Sequence, residues 1–421
     1  MDTIRHLFRI GNGPSSSHSI GPKRAARYFH EWFPNAARYK VELYGSLAAT
    51  GKGHMTDISI LSELPERRTT ICWEPSVNLP RHPNGMKYYA YDSEDELLGD
   101  WTVYSVGGGA LDDQGERLAQ GYIRHLYPHK NMEEIMNYIQ QTGQNFWEYV
   151  EECEGPEIWD YLAEVWRVME AAIERGVISE GVLPGGLGIN RKANIYYRRS
   201  QLLRPGFIHS TPMTAFALAT AEENATGGLI VTAPTCGSCG VLPAVLKYFK
   251  TKMDITEDNI LRALATAGLF GNVVKHNGSI SGAEVGCQGE IGVACAMAAA
   301  AASYFYSGTV NQIEYAAEAG LEHHLGLTCD PVCGLVQVPC IERNAAAANA
   351  ALFSAQFAMF SDGNHRVSFD DIIKVMMHTG KDMSALYRET AEGGIAKVYR
   401  LPKDRLKILK REENNTAADN A

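Results

Sequence analysis

The chain has 421 residues, 45% of them hydrophobic and 21% charged, and its 39 basic against 49 acidic side chains leave a net charge of −10. That balance excludes nucleic acid and anionic membrane surfaces as partners, since both are held by basic patches and no run of Lys or Arg overrides the deficit. The length suits two or three domains around a large core. Residues 1–13, MDTIRHLFRIGNG, lack the apolar run of a signal peptide. The most membrane-like stretch, IGVACAMAAAAASYFY at 291–306, is Ala-rich and too short for a span, so it reads as a buried core helix. A cytoplasmic protein whose nine cysteines are reduced is expected.

In chain order, the stretch GNGPSSSHSIGP (11–22) comes first, at the mouth of a helix read over 19–33. One serine suffices to cap a helix, so the other two and His18 remain to be explained. Residues 39–45 alternate and read as a strand, 56–64 as a helix, and 85–92 and 97–109 as strands joined by a turn at Asp92–Ser93. Gly107–Gly109 form a backbone turn on this reading, because the strand–loop–helix context of an anion cradle is missing. A long helix near 132–150 closes an α+β domain over 1–155. An all-α domain follows over 156–408, with helices at 156–175, 211–224, 240–251, 256–274, 288–306, 310–320, 340–360 and 368–380. The polar tail 409–421 is expected to be disordered, and no repeat of fixed period occurs.

Six cysteines fall in three loop-like islands: Cys236 and Cys239 in APTCGSCGVLP, Cys287 in GSISGAEVGCQGEIG, and Cys329, Cys333 and Cys340 in CDPVCGLVQVPCIERN. Each island leads into a helix, whose N-terminal dipole end favours a thiolate. Cys72, Cys153 and Cys295 lie in periodic segments and read as small core hydrophobes. The single C-x-x-C fits zinc, a redox dithiol or chance, and spacing alone does not choose among these and an iron–sulfur cluster.

Quoted together, GPSSSHSIGP, YGSLAATGKGHMTD, YSVGGGAL, LPGGLGINRKA, EENATGGLIVTAPT, SGAEVGCQGE, QVPCIERN and ETAEGGIA resemble, in order and nearly end to end, the iron–sulfur-dependent L-serine dehydratases of bacteria, in their single-chain form. The resemblance implies a [4Fe–4S] cluster on Cys287, Cys329 and Cys340, with the fourth iron open to substrate as a Lewis acid, and important histidines at His18 and His54. Hydroxyls and N–H groups of Ser15, Ser16 and Ser17, or of Ser279 and Ser281, are candidates to anchor the carboxylate of a small amino acid. Two other functions stay open: a lyase of the same fold acting on another β-hydroxy or β-thio amino acid, and a non-enzymatic iron–sulfur redox sensor. No lysine and phosphate-loop arrangement suggests pyridoxal phosphate as the electron sink. Glu284, Glu290, Glu342 and Arg343 read equally as ion pairs bracing the cluster loops or as groups just outside the ligand set. The chain departs from the family at Cys236, where relatives carry Asn, and it has no cysteine after Cys340 to fold back on the cluster. A homodimer is expected.

Overall fold

The computed structural model describes residues 1–115, 117–118, 126–202 and 211–400, so the tail at 409–421 lies outside the described residues. The first fourteen residues do not join the sheet that follows them. A short 3-10 turn at Ile4–His6 buries Met1, Ile4, Leu7 and Phe8 in the core of the helical body. Strand β1 (Ile10–Asn12) then pairs antiparallel with β7 (Leu229–Val231), with Ile10 opposite Val231. The groove that receives this segment exists because of two glycines: a Cβ at position 268 would lie 2.8 Å from Phe8, and one at 271 would lie 2.6 Å from Leu7.

The chain then crosses to an α/β body. Residues Ser16–Ile20 form a π-helical turn that runs into α1 (Gly21–Trp32). Strand β2 (Arg38–Tyr44) is followed by α2 (Gly45–Thr50), α3 (Thr56–Leu61) and β3 (Thr69–Glu74). Strands β4 (Gly85–Tyr91), β5 (Leu97–Ser105) and β6 (Leu111–Asp112) complete a sheet of order β3-β2-β4-β5-β6. β2 and β3 are parallel, as a helical crossover requires, and the other pairs are antiparallel. Alternation puts Tyr39, Val41, Leu43, Met86, Tyr88 and Ala90 on one buried face, covered by Phe29 of α1, Leu47 of α2 and Ile60 of α3. The Gly107–Gly109 segment is a turn, closed by Val106 and Ala110, and its carbonyls receive Arg9 and Arg24. Acceptors turned toward two guanidinium groups do not make an anion cradle.

The helical body comprises α4 (Met132–Thr142), α5 (Phe146–Glu154), α6 (Ile158–Ile178), α7 (Ala193–Leu202), α8 (Thr211–Ala225), α9 (Val241–Met253), α10 (Glu257–Asn277), α11 (Gly282–Val285), α12 (Ile291–Phe305), α13 (Val310–Glu322), α14 (Cys340–Met359), α15 (Phe369–Asp382) and α16 (Gly394–Val398). Helix α12 is the hub, buried along nearly its whole length and wrapped by α9, α10, α13 and α14. No single helix among the described residues is long and apolar enough to cross a membrane. Alanine and glycine set the helix spacings: a Cβ on Gly176 of α6 would sit 2.4 Å from the Ala219 carbonyl of α8.

Three sequence readings need adjustment. The helix read over 132–150 is two helices, because Gly143 takes a left-handed turn at the end of α4 and the Glu148 carboxylate caps the Asn145 N–H at the start of α5. Both helices bury Ile135, Ile139, Phe146 and Tyr149 in the helical core, so packing divides the two bodies before residue 132, not at 155. Strands β1, β3, β6 and β7 and helices α2, α7, α11 and α16 were not read from the pattern.

Helix α13 carries Glu314, Glu318 and Glu322 one turn apart, and Glu314 and Glu318 are buried. Burial first, then Glu322 and Glu314, pushes the Glu318 carboxyl up to about 8 from an ordinary 4.5. The folded state therefore keeps a proton that the unfolded chain has released, and this group's contribution to stability falls as pH rises from about 4.5 to about 8. Glu318→Gln is expected to flatten that fall: melting temperature plotted against pH should decline less in the variant than in the wild type.

Candidate active site

The crossing between β1 and α1 delivers the three serines and His18 to the junction of the two bodies. Ser15 caps the π-helical turn by accepting the His18 N–H at 3.2 Å. His18 is fully buried, with Nε2 3.2 Å from the Ser46 carbonyl and 3.0 Å from Thr50 Oγ1. A carbonyl only accepts, so Nε2 carries the ring proton and Nδ1 is left to accept from Ser17 Oγ at 2.9 Å. The His54 ring lies against that of His18, with centroids 4.4 Å apart, and Ser19 Oγ donates to the His54 carbonyl. Burial pulls His18 down to about 4. Burial, then the neighbouring His18, holds His54 well below the histidine range. Both rings are neutral at physiological pH, and His54 Nδ1 has no hydrogen-bond partner.

On the other side lie the cysteine loops. Cys287 sits in the 3-10 turn before α12, Cys329 in the loop after α13, and Cys340 at the first residue of α14. One cavity is lined by all three, together with Pro14, Ser15, His54, Glu290 and Glu389. One oxygen of Glu290 lies 3.8 Å from Cys287 Sγ and 3.9 Å from Cys329 Sγ, and the three ligand atoms fall within 4.8 Å of one another. The other oxygen of Glu290 accepts from Thr235 Oγ1 at 2.7 Å. Burial, then Glu389, pushes Glu290 up to about 7. Position beside a helix start does not make Cys329 or Cys340 acidic by itself. The hydrogen bond with Cys287, then burial, raises Cys329 well above the thiol range, and burial raises Cys340. Arg343 shows the complementary effect: burial works against its charge, but Cys287, Cys340 and Cys329 together raise its pKa. Arg343 also pairs with Asp330 at 3.5 Å.

Glu389 joins the two sides and was not singled out in the sequence. Its N–H donates to the Cys329 carbonyl at 2.7 Å, and its own carbonyl accepts from Ser46 Oγ at 2.9 Å. Its Oε1 is 3.3 Å from His18 Nδ1 and 3.5 Å from Ser17 Oγ, while Oε2 has no partner. Burial, then Cys287, pushes its carboxyl up to about 8, so between about 4 and about 8 its contact with His18 joins two neutral groups. The backbone at Glu389 holds a left-handed φ of 55°, strain that a non-glycine residue keeps only where its surroundings demand it.

The structure thus brings Ser15, His54, Cys287, Cys329 and Cys340 to one cavity, with His18 and Ser17 immediately behind. Ser16, Ser279 and Ser281 are buried outside the lining, Ser281 Oγ without a partner and close to Gly107. Cys236 and Cys239 pack with Ile20, Ala172 and Ile230 in a separate apolar cluster, and only Gly237 between them reaches the cavity. Of the other charged residues read from the motifs, Glu290 faces the cavity, whereas Glu342 pairs with Lys192 at the surface.

Comparison with known proteins agrees with this division. Residues 3–69 and 63–116 match the family described as serine dehydratase beta chain, and residues 108–396 match serine dehydratase alpha chain. The chain belongs to the serine dehydratase family. This family member is 42% identical to the L-serine dehydratase of Streptomyces coelicolor, over 94% of this chain and 98% of that one. It is 40% identical to L-serine dehydratase 1 of Escherichia coli, over 94% and 99% of the two chains. It is 35% identical to the L-serine dehydratase of Helicobacter pylori over the same shares. Both parts that the family models distinguish thus lie in one polypeptide.

Cys333 is the one exposed cysteine. Reaction of the native protein with a thiol-specific disulfide reagent is expected to show Cys333 as the fastest site. Cys333→Ser should remove that phase and leave slower release from half-buried Cys72 and Cys153 and from the buried thiols.

Proposed function

We propose that this protein is an L-serine dehydratase that removes water from L-serine to give 2-aminoacrylate, which tautomerises to the imine and hydrolyses to pyruvate and ammonia. The observation that carries this reading is the meeting, in one cavity of a serine dehydratase family member, of three thiols with a neutral, unpartnered histidine nitrogen. We further propose that Cys287, Cys329 and Cys340 hold a [4Fe–4S] cluster. The donor set suits it: three soft sulfur ligands are one short of the four that a fully ligated cluster takes, and Arg343 stands beside them to offset thiolate charge. When bound, such a cluster supplies Lewis acidity toward the serine hydroxyl through its iron without a cysteine.

The chain's own residues supply the remainder. The Cα proton is the difficult one, and neutral His54, whose side chain lines the cavity, is the base this reading assigns to it. His18 does not line the cavity. It positions His54 by ring contact and is itself locked by Ser46, Thr50 and Ser17. Glu389 presents an unpartnered oxygen beside the same space, where the substrate's ammonium group favours its carboxylate form. The Ser15 hydroxyl, on the opposite loop, is a donor for the substrate carboxylate. The surroundings are almost entirely closed to solvent, which strengthens each of these contacts.

The test is anaerobic preparation followed by a visible spectrum and a pyruvate assay with serine, threonine and cysteine. Cys287→Ala, Cys329→Ala and Cys340→Ala should each lose both the broad cluster absorbance and the activity; full activity in Cys340→Ala would remove it from the ligand set. His54→Ala should keep the absorbance and lower kcat by roughly 10²–10⁴-fold. An unchanged kcat would take His54 out of the reaction. Turnover faster on threonine or cysteine than on serine would redirect the substrate assignment.

A further inference from the structure

Helix α14 buries a face made largely of alanine, and Asn344 interrupts it one turn after Cys340. Asparagine is a poor helix former, and a buried amide has two donors and an acceptor to satisfy, so its presence there needs a reason. Asn344 is 1% exposed and its whole amide is engaged. Nδ2 donates to the Cys340 carbonyl at 2.9 Å and to the Gly237 carbonyl at 2.7 Å, while Oδ1 accepts the Gly240 N–H at 2.9 Å. The first bond stays within α14. The other two cross to the loop before α9, which belongs to the C-x-x-C island and lends Gly237 to the active-site cavity. Glycine at 240 permits the contact, since a Cβ there would lie 2.5 Å from the Ala217 carbonyl and 3.1 Å from Asn344 Oδ1.

The same loop reaches the other two thiols. Ser238 Oγ lies 3.2 Å from Thr235 Oγ1 and donates to the Ala233 carbonyl at 3.2 Å, which closes the loop on itself. Thr235 Oγ1 then donates to Glu290 at 2.7 Å, and the second Glu290 oxygen stands 3.8 and 3.9 Å from Cys287 and Cys329 Sγ. Gly282 of α11 closes that carboxylate in, because a Cβ there would lie 2.6 Å from the same oxygen. A line of contacts thus runs from Cys340 through Asn344, the Gly237 loop and Thr235 to Glu290, beside the remaining two cysteines. It joins segments far apart in sequence, and none of its bonds needs a metal. We propose that Asn344 is a positioning residue that places Cys340 against Cys287 and Cys329 before any cluster is bound, with the C-x-x-C island serving as the brace between them and not as a source of ligands. The purpose of this brace rests on the cluster proposed above; its existence does not.

The experiment is thiol labelling of the full-length, metal-free protein under native conditions with an alkylating reagent, each cysteine being followed by peptide mass spectrometry. Cys295, wholly enclosed in α12, is labelled only when the fold opens as a whole, so it is the internal reference. Asn344→Leu keeps the side-chain volume and removes all three bonds. It should label Cys340 roughly 10–100-fold faster relative to Cys295. A residue that only stabilised the fold would speed both alike, and an unchanged ratio of Cys340 to Cys295 overturns the proposal. Should Asn344→Leu not fold, Thr235→Val tests the other end of the brace, where Cys287 and Cys329 should gain on Cys295; no gain counts equally against it. After anaerobic cluster assembly, iron release to a chelator should be faster in Asn344→Leu than in the wild type, and equal rates would overturn the purpose assigned to the brace. The labelling needs no cluster, so the brace and the cluster can each fail without the other.

Discussion

The site depends on one constraint, the anchoring of the first fourteen residues in the helical body. Leu7 and Phe8 fill the groove over Gly271 and Gly268, and β1 pairs with β7. With that segment held, the chain enters the α/β body from the helical side, and the serine-rich turn is left at the junction and not at the far edge of the sheet. Loosening the groove would displace Ser15 and His18 together, although neither touches it.

From this anchor the polar network follows in one direction. Ser15 caps the turn that carries His18, Ser17 and Ser46 fix the ring, the ring supports His54, and Glu389 ties the whole to Cys329. Every member is buried, so each has to be satisfied by a neighbour, and such a network is rigid while complete. The atoms left unsatisfied, His54 Nδ1 and Glu389 Oε2, belong to residues that line the cavity. These two residues share the cavity wall with Ser15, which caps the turn, and with the three cysteines.

Much of this was legible in the sequence, and the reasons for the rest are physical. Helices α8, α9, α10, α12, α13, α14 and α15 announce themselves by long apolar periods. Strands β1 and β7 have three residues each, below the length at which alternation is visible, and β3 is a half-exposed edge. The cavity cysteines and both histidines were found through motifs, but their meeting was not: Ser15, Cys287 and Glu389 are brought together by tertiary packing that no local pattern encodes. Glu389 stands in ETAEGGIA among other polar residues, and only its burial and its contact with His18 mark it. The C-x-x-C pair could not be assigned from its spacing, and packing decides it: Cys236 and Cys239 are fully buried in an apolar cluster, with Cys239 Sγ turned to the Thr220 carbonyl.

The division of the core at the segment before α4 bears on how the two bodies can move. The chain passes between them twice, once from β1 to α1 and again between β6 and α4, so the α/β body is spliced into the helical one as a loop is spliced into a rope. A domain tied at one point can swivel freely; one tied at two can only swing about the line joining the ties. Both ends of the α/β body are thus tied to the helical one, which limits how far the serine-rich turn can part from the cysteine loops.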